Sequence, residues 1–275
     1  MNTSSGEPTA ALYGFSSLFL KIVREQNPAA VAFAVDAPQK TFRHDRYEGY
    51  KATRAAAPDS LLRQFARLEE LLRRLGLPVH RVPGFEADDV LATLARRMRE
   101  EGKPALVVSG DRDLLQVASG SVSVLFTGVR GKDIVLYDAA KVTERFAVLP
   151  EQLPSFVALV GDASDNLPGV RGVGPKTAAQ LVQKFHDIST LLDNLEEVSP
   201  EGVRRALAEN RDRIRLNEEL ARLRDDVPLG DVPVASPLRL SALEQVRLLF
   251  EELEFKSLVS RLATIEDRLR SEPGA

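Results

Sequence analysis

Two short unbroken apolar runs, residues 29–35 (AAVAFAV) and 105–108 (ALVV), constrain this chain most. Neither shows the alternation of a half-exposed strand, and neither is long enough for a helix. Both therefore read as strands covered on two faces. Amphipathic stretches separate them: a helix over 12–24, a second over 60–75 closing on Gly76, and a third over 86–101 with Val90, Leu91, Leu94 and Met98 on one side. Residues 79–82 read as a short strand, and 122–126 with 134–137 as a strand pair around 128–132. Helices alternating with buried strands predict an α/β architecture with a mostly parallel sheet flanked by helices, over residues 1–150. From about 150 the pattern turns all-helical. A Pro/Asp-rich break at 225–237 precedes a last amphipathic helix at 241–252 and then a charged tail. Residues 151–275 are accordingly expected to form a second, all-α domain.

Composition enters as a filter. The 275 residues contain no Cys, which excludes disulfides, the usual zinc fingers and cysteine nucleophiles. His44, His80 and His186 are scattered, without metal-ligand spacing. No apolar run approaches a membrane span, and residues 1–12 lack a signal-peptide pattern, so a soluble, cytoplasmic protein is expected. The net charge of −3 is unusual for a nucleic-acid binder, but acids and bases are segregated along the chain.

The acids fall where a parallel sheet places ligand sites, at the carboxyl ends of strands. Asp36 follows the first apolar run, and Asp111 and Asp113 follow the second in SGDRDLL. Glu86, Asp88 and Asp89 open a helix in GFEADDVLA, and Asp162 and Asp165 stand in GDASDNLPG with no Lys or Arg close by in sequence. Taken singly, acids at a helix start merely complement its dipole. Eight of them at four such positions, with almost no base among them, suit hard divalent cations such as Mg2+ or Mn2+, which prefer oxygen ligands. A pair of those ions activates water and stabilises the leaving oxygen of a phosphodiester. The DxD spacing of Asp111 and Asp113 leaves a phosphohydrolase with an Asp nucleophile as a rival, although Leu114 and Leu115 stand where Thr or Ser would be expected.

Two further segments point to a nucleic-acid backbone. Residues 167–174 (LPGVRGVG) form a glycine-punctuated hairpin leading to a helix from Pro175, and Lys176 and Thr177 lie in its first turn. Gly172 and Gly174 permit close backbone approach, and N–H groups at a helix start suit a phosphate. Residues 40–54 interleave Lys40, Arg43, Arg46, Lys51 and Arg54 with Phe42, Tyr47 and Tyr50. Cations for phosphates and rings for unstacked bases belong to single-strand binding. A solvated loop with its aromatics packed on its own stems is the plainer alternative.

With these motifs assembled, the chain resembles the 5′ nuclease domain of bacterial DNA polymerase I, related to flap endonucleases. The matching segments are SSGEPTAALYGF, FRHDRYEGYKATR, PGFEADDVLATLA, SGDRDLLQ and GDASDNLPGVRGVGPKTAAQLV. The resemblance implies a PIN-like nuclease core followed by a SAM-like helix-three-turn-helix DNA-binding domain. It also implies two Mg2+ (or Mn2+) ions for 5′-3′ exonuclease and 5′-flap endonuclease activity in DNA replication and repair. By motif, Asp36, Glu86, Asp88, Asp89, Asp111, Asp113, Asp162 and Asp165 would hold the metals, and Lys51 and Arg54 would act on the scissile phosphate. Arg43, Tyr47, Tyr50, Lys51 and Arg54 would line an arch over the threaded strand. Gly169, Val170, Gly172, Val173, Gly174, Lys176 and Thr177 would grip duplex backbone, with a K+ ion held by carbonyls in related enzymes. The implied partner is DNA with a 5′ end or flap beside duplex, and a monomer is expected. The family pattern also carries, ahead of MNTSSGEP, an apolar strand ending in Asp-Gly that supplies one more ligand Asp. The expectation is then a gap in the sheet, weakened metal affinity and reduced or absent cleavage. A late-assigned start is favoured over a truncated chain or a real loss of activity, and a catalytically impaired DNA-junction binder is the alternative function.

Overall fold

The structure, a computed structural model, describes residues 1–128 and 134–271. Helix α1 spans Ala10–Gln26, strand β1 Phe33–Ala34, α2 Phe42–Arg46, α3 Asp59–Leu75, β2 Val79–His80 and α4 Ala87–Glu100. Strands β3 (Ala105–Ser109), β4 (Val122–Phe126) and β5 (Val135–Tyr137) follow, then α5 (Ala139–Phe146) and α6 (Leu153–Val160). A two-residue pair, β6 (Gly161–Asp162) and β7 (Leu167–Pro168), leads to α7 (Pro175–Phe185), α8 (Ile188–Asp193), α9 (Glu201–Glu209) and α10 (Arg211–Ala221). Helices α11 (Leu240–Glu252) and α12 (Lys256–Ser271) close the chain. Of the turn expected at 128–132, residues 129–132 lie outside the described residues.

The chain divides into two compact units that interleave in sequence. One is built from Met1–Phe33, Ala55–His80 and the residues from Gly230 onward. Its core comes from the apolar stripes of α1 (Leu12, Leu20, Val23), α3 (Leu71, Leu72, Leu75), α11 (Leu243, Val246, Leu249, Phe250) and α12 (Leu258, Leu262, Ile265). Helix α1 has no side-chain cap at Thr9; Gln64 Oε1, reaching from α3, accepts the N–H groups of Ala11 and Leu12 at 2.8 and 3.2 Å. That interaction satisfies donors any helix start leaves open. Two expectations are corrected in this part of the chain. Residues 256–271, read as a charged tail, form α12, because Leu258, Leu262 and Ile265 recur at helical spacing beneath the charges. Residues 29–35, read as a strand covered on both faces, keep only Phe33 and Ala34 as strand, and both are half-buried. Among the described residues, β1 has β2 as its single ladder neighbour.

The second unit holds Ala34–Arg54 and Arg81–Leu229. Strand β3 runs parallel to β4 (Ala105 opposite Val122), and β4 pairs antiparallel with β5 (Val124 opposite Tyr137), as the strand-pair reading requires. Val122 and Val124 on one face of β4, with Leu114, Leu115, Ala158, Leu159 and the buried faces of α7 and α8, form one continuous apolar core. Two glycines let the β6–β7 hairpin close. A Cβ on Gly169 would collide with the Val160 carbonyl, and one on Gly161 would collide with the Gly169 backbone. Helix α7 begins at Pro175 after Gly174, as expected, with proline in its first turn.

Candidate active site

All eight acids singled out from the sequence lie in the second unit, but the structure gives them different surroundings. Asp88 and Asp113 are largely buried carboxylates whose oxygens form no hydrogen bond or ion pair among the described residues. Burial against the protein pushes Asp88 up to about 7, helped by the charges of Asp111, Glu86 and Asp36 and only partly offset by Lys51. Burial also drives Asp113 well above the usual carboxylate range, with Asp111, Asp165, Asp162 and Asp88 adding repulsion. Asp111 uses Oδ1 to accept the Asp113 N–H at 2.9 Å, which fixes the turn after β3. Asp162 Oδ1 does the same for Ser164, accepting from its N–H at 2.7 Å and its hydroxyl at 2.8 Å. Exposed Asp36 accepts the Ala87 N–H at the start of α4, 2.8 Å away.

The remaining three acids are neutralised by cations that are distant in sequence. Glu86 meets Lys51 Nζ at 2.8 Å and accepts from the Tyr50 hydroxyl at 3.0 Å. Asp165 meets Arg54 at 2.7 Å and accepts from the same Tyr50 hydroxyl at 2.8 Å. Asp89, with no solvent exposure, takes a two-pronged pair from Arg43 at 2.7 and 2.8 Å. Asp162 and Asp165 thus follow the sequence reading only in part, since the fold brings Arg54 to Asp165.

Three residues depart from the roles the sequence suggested. Arg43, expected on DNA, is 1% exposed and makes four guanidinium hydrogen bonds inside the protein. Tyr50, expected as a stacking face, is 3% exposed, with its hydroxyl committed to Glu86 and Asp165. Burial and those two carboxylates raise its ionisation far above the ordinary phenol value, so it stays a neutral donor. Asp89 has Oδ2 engaged by Arg43 and the Glu86 N–H, and Oδ1 by Arg43 and the Arg224 N–H at 2.9 Å. A carboxylate offers about four acceptor positions, so none remains for a metal. Tyr47 is half-buried and packs beside Tyr50, Leu167 and Leu220. Lys51 holds a left-handed backbone (φ 54°), and its N–H donates to the Asp165 carbonyl at 3.2 Å. Arg54 alone of these is substantially exposed.

In the glycine hairpin, Val170 and Val173 are buried, and their N–H groups bond to Leu159 O and Val170 O. Gly172 (φ 85°), Gly174 and Lys176 are exposed, and Thr177 is half-exposed at the open start of α7. Sequence reasoning missed two supports from α10: Arg213 donates to Gly169 O at 3.3 Å, and Asn217 to Pro168 O at 2.9 Å. Arg213 belongs to a basic, acid-interspersed helix that reads as ordinary surface, and nothing local to Asn217 marks it. Among the described residues, no three His, Asp or Glu side chains already enclose a metal position. The donor set nonetheless fits hard divalent cations: it is all oxygen, and its two unpartnered carboxylates are the two whose charge is most disfavoured.

Comparison with known proteins bears on this arrangement. The model for the 5′-3′ exonuclease N-terminal resolvase-like domain matches residues 1–147, and that for the 5′-3′ exonuclease C-terminal SAM fold matches 148–244. The chain belongs to the 5′-3′ exonuclease family. This exonuclease-family chain is 42% identical over 97% of its length to the thermostable DNA polymerase I of Thermus thermophilus, and 40% identical over 94% to DNA polymerase I of Mycobacterium tuberculosis. It spans less than a third of those relatives, 31% and 29%. T5 5′-exonuclease with bound divalent metal ions (zinc) has a similar fold: TM-score 0.67 at 19% identity, covering 96% of this chain and 93% of that one. The catalytic core of Rad2 in complex with DNA substrate gives 0.60 at 14% identity, with 95% and 86% covered. The α/β-plus-helical architecture expected for an exonuclease of this family is therefore present. No described helix is long and apolar enough to cross a membrane.

Proposed function

We propose that the chain is a divalent-metal-dependent 5′-3′ exonuclease and 5′-flap endonuclease that hydrolyses DNA phosphodiester bonds at 5′ ends and flap junctions. The observation that carries this reading is the pair Asp88 and Asp113: crowded carboxylates without a hydrogen bond or ion pair among the described residues, in a family of 5′-3′ exonucleases. Residues 1–150 would supply the nuclease core and 151–275 the DNA-gripping clamp.

Asp88, Asp111, Asp113 and Asp162 retain free carboxylate oxygens to hold two Mg2+ or Mn2+ ions, with Asp36, Glu86 and Asp165 at the margin. When bound, the ions supply an activated water and stabilise the leaving oxygen. The protein's own residues supply charge and position. Lys51 and Arg54 are held over the acids by Glu86 and Asp165, and a scissile phosphate would compete for both cations once metals neutralise those carboxylates. Tyr50, its buried hydroxyl sharing one hydrogen between both acids, fixes their spacing. Lys176, Thr177 and the open N–H groups at the start of α7 would take duplex phosphates. The carbonyls of Pro168, Gly169 and Val170 accept from Asn217, Arg213 and Val173, which leaves each a second lone pair that a K+ ion at the hairpin would use.

The test is cleavage of a 5′-labelled flap duplex with Mg2+, Mn2+ or EDTA, alongside Asp113→Ala protein to exclude a contaminating nuclease. Metal-dependent cutting at the junction, absent in the variant, is expected. Tight DNA binding without cutting would refute the enzyme and leave a junction-binding protein. Cleavage that survives EDTA would refute the metal assignment.

A further inference from the structure

Among the described residues, Arg43 and Asp89 are the two most completely enclosed charges of the second unit, with 1% and 0% side-chain exposure. A buried ion pair that served stability alone would be replaceable by apolar packing. This pair instead joins three segments at their functional ends. Asp89 is the third residue of α4, and its Oδ2 accepts the Glu86 N–H at 3.0 Å in a capping box, fixing the turn that carries Glu86 and Asp88. Arg43 Nε donates to Leu220 O at 2.8 Å and one terminal nitrogen donates to Arg222 O at 3.1 Å, filling carbonyls left open at the end of α10. Arg224 N–H returns to Asp89 Oδ1 at 2.9 Å. Four of the five guanidinium hydrogens are matched, and the nitrogen carrying the fifth lies 3.6 Å from Glu86 Oε2. Helix α10 in turn holds the glycine hairpin through Arg213 and Asn217.

We infer that Arg43 and Asp89 form a positioning clamp that sets the α4 carboxylates against the α10-supported hairpin, and that neither residue binds metal or DNA. The inference rests on the proposed nuclease reading for its catalytic consequence, though not for its metal-binding consequence. The acid end of the pair complements the N-terminal dipole of α4, and the base end complements the C-terminal dipole of α10. Lysine has neither the fork nor the number of donors to replace Arg43. Loss of the clamp frees Glu86 and Asp88 to drift by amounts that matter for ion coordination, as loss of outer-sphere supports does at metal sites.

The experiment uses the full chain and Mn2+ alone as probe. Free Mn2+ is titrated by electron paramagnetic resonance, together with steady-state flap cleavage, DNA affinity in EDTA and urea unfolding. Variants are Asp89→Asn, Arg43→Lys and the double change Arg43→Met with Asp89→Leu. For the single variants, Mn2+ half-saturation should rise at least about 10-fold and kcat fall at least about 10-fold. DNA affinity in EDTA should stay within about twofold, because the clamp touches no DNA. The double variant, with an apolar pair in place of the buried charges, should recover stability relative to the singles while keeping the Mn2+ defect. Parental Mn2+ affinity in the singles overturns the inference. So does a double variant that recovers Mn2+ affinity with stability, because the pair would then be structural only. A parent that binds Mn2+ without cutting refutes the nuclease reading and leaves the clamp judged on Mn2+ affinity, whereas no saturable Mn2+ binding by the parent refutes both.

Discussion

Asp88 and Asp89 are adjacent in sequence and open the same helix, yet the fold uses them in opposite ways. Asp89 points into the protein, where Arg43 and two backbone N–H groups fill its oxygens. Asp88 points to the cluster around Asp111 and Asp113 and receives no hydrogen bond. One half of the acidic cluster is thus neutralised from within, by Arg43, Lys51 and Arg54, and the other half is left in deficit. The difference separates structure from function. Carboxylates with protein partners hold the site's shape, whereas carboxylates crowded without them have affinity to spare for an external cation.

The largest effect should come from the open half. Asp113→Ala is expected to lower flap cleavage by more than about 100-fold. DNA affinity measured in EDTA should be retained, because Asp113 supports no other residue through its side chain. Parental cleavage rates in this variant would end the assignment. On the closed half, Asp89→Ala leaves Arg43 buried without its partner, and removal of one member of such a pair costs about 3–5 kcal/mol. Urea unfolding of the metal-free protein reads this directly. A loss below about 1 kcal/mol, the range of an exposed pair, would show that Asp89 is not the closed carboxylate described here.

This contrast also marks what was legible in the sequence. The family motifs placed the acids at the ends of strands and the start of α4, and the glycine-rich run announced the start of α7. Periodicity located α1, α3 and α4 within two residues or so. It did not separate Asp88 from Asp89, because burial of one of two neighbouring acids depends on an arginine 46 positions away. The same limit explains Arg43 and Tyr50: a basic, aromatic segment reads as a surface for nucleic acid, and only the tertiary fold shows which of its side chains turn inward. Charge misled in the opposite direction at α12, where Arg261, Asp267, Arg268 and Arg270 concealed Leu258, Leu262 and Ile265. Gly161 was overlooked because its role is steric and lies across the hairpin, against Gly169.

A pH series sharpens the comparison. Asp88 moves from an ordinary value of 3.8 to about 7 on folding. The folded chain therefore binds more protons than the unfolded chain between those values, and stability declines as pH rises through that window. The metal-free parent should lose thermal stability from about pH 4 to about pH 7 more steeply than Asp88→Asn, which has no proton to lose. Added Mn2+ should stabilise the parent more at the upper end, since the cation competes with the proton for the same oxygens. Identical slopes in parent and variant would remove Asp88 from the open half.

The smallest effect applies the same logic to cations. Lys51 and Arg54 are satisfied by Glu86 and Asp165, while Lys176 is exposed and has no carboxylate partner among the described residues. An unpaired lysine at the open start of α7 is placed for one phosphate. Lys176→Ala should weaken duplex binding several-fold and reduce the slope of log K against log salt by about 1, whatever the DNA sequence. Cleavage at saturating DNA should remain near the parental rate, because the lysine acts on the duplex and not on the scissile bond. Lys51→Ala provides the counterpart: its cation already serves Glu86, so its loss should slow cleavage while the salt slope changes little. If the two variants exchange these signatures, paired and unpaired charge do not mark the division between catalysis and grip.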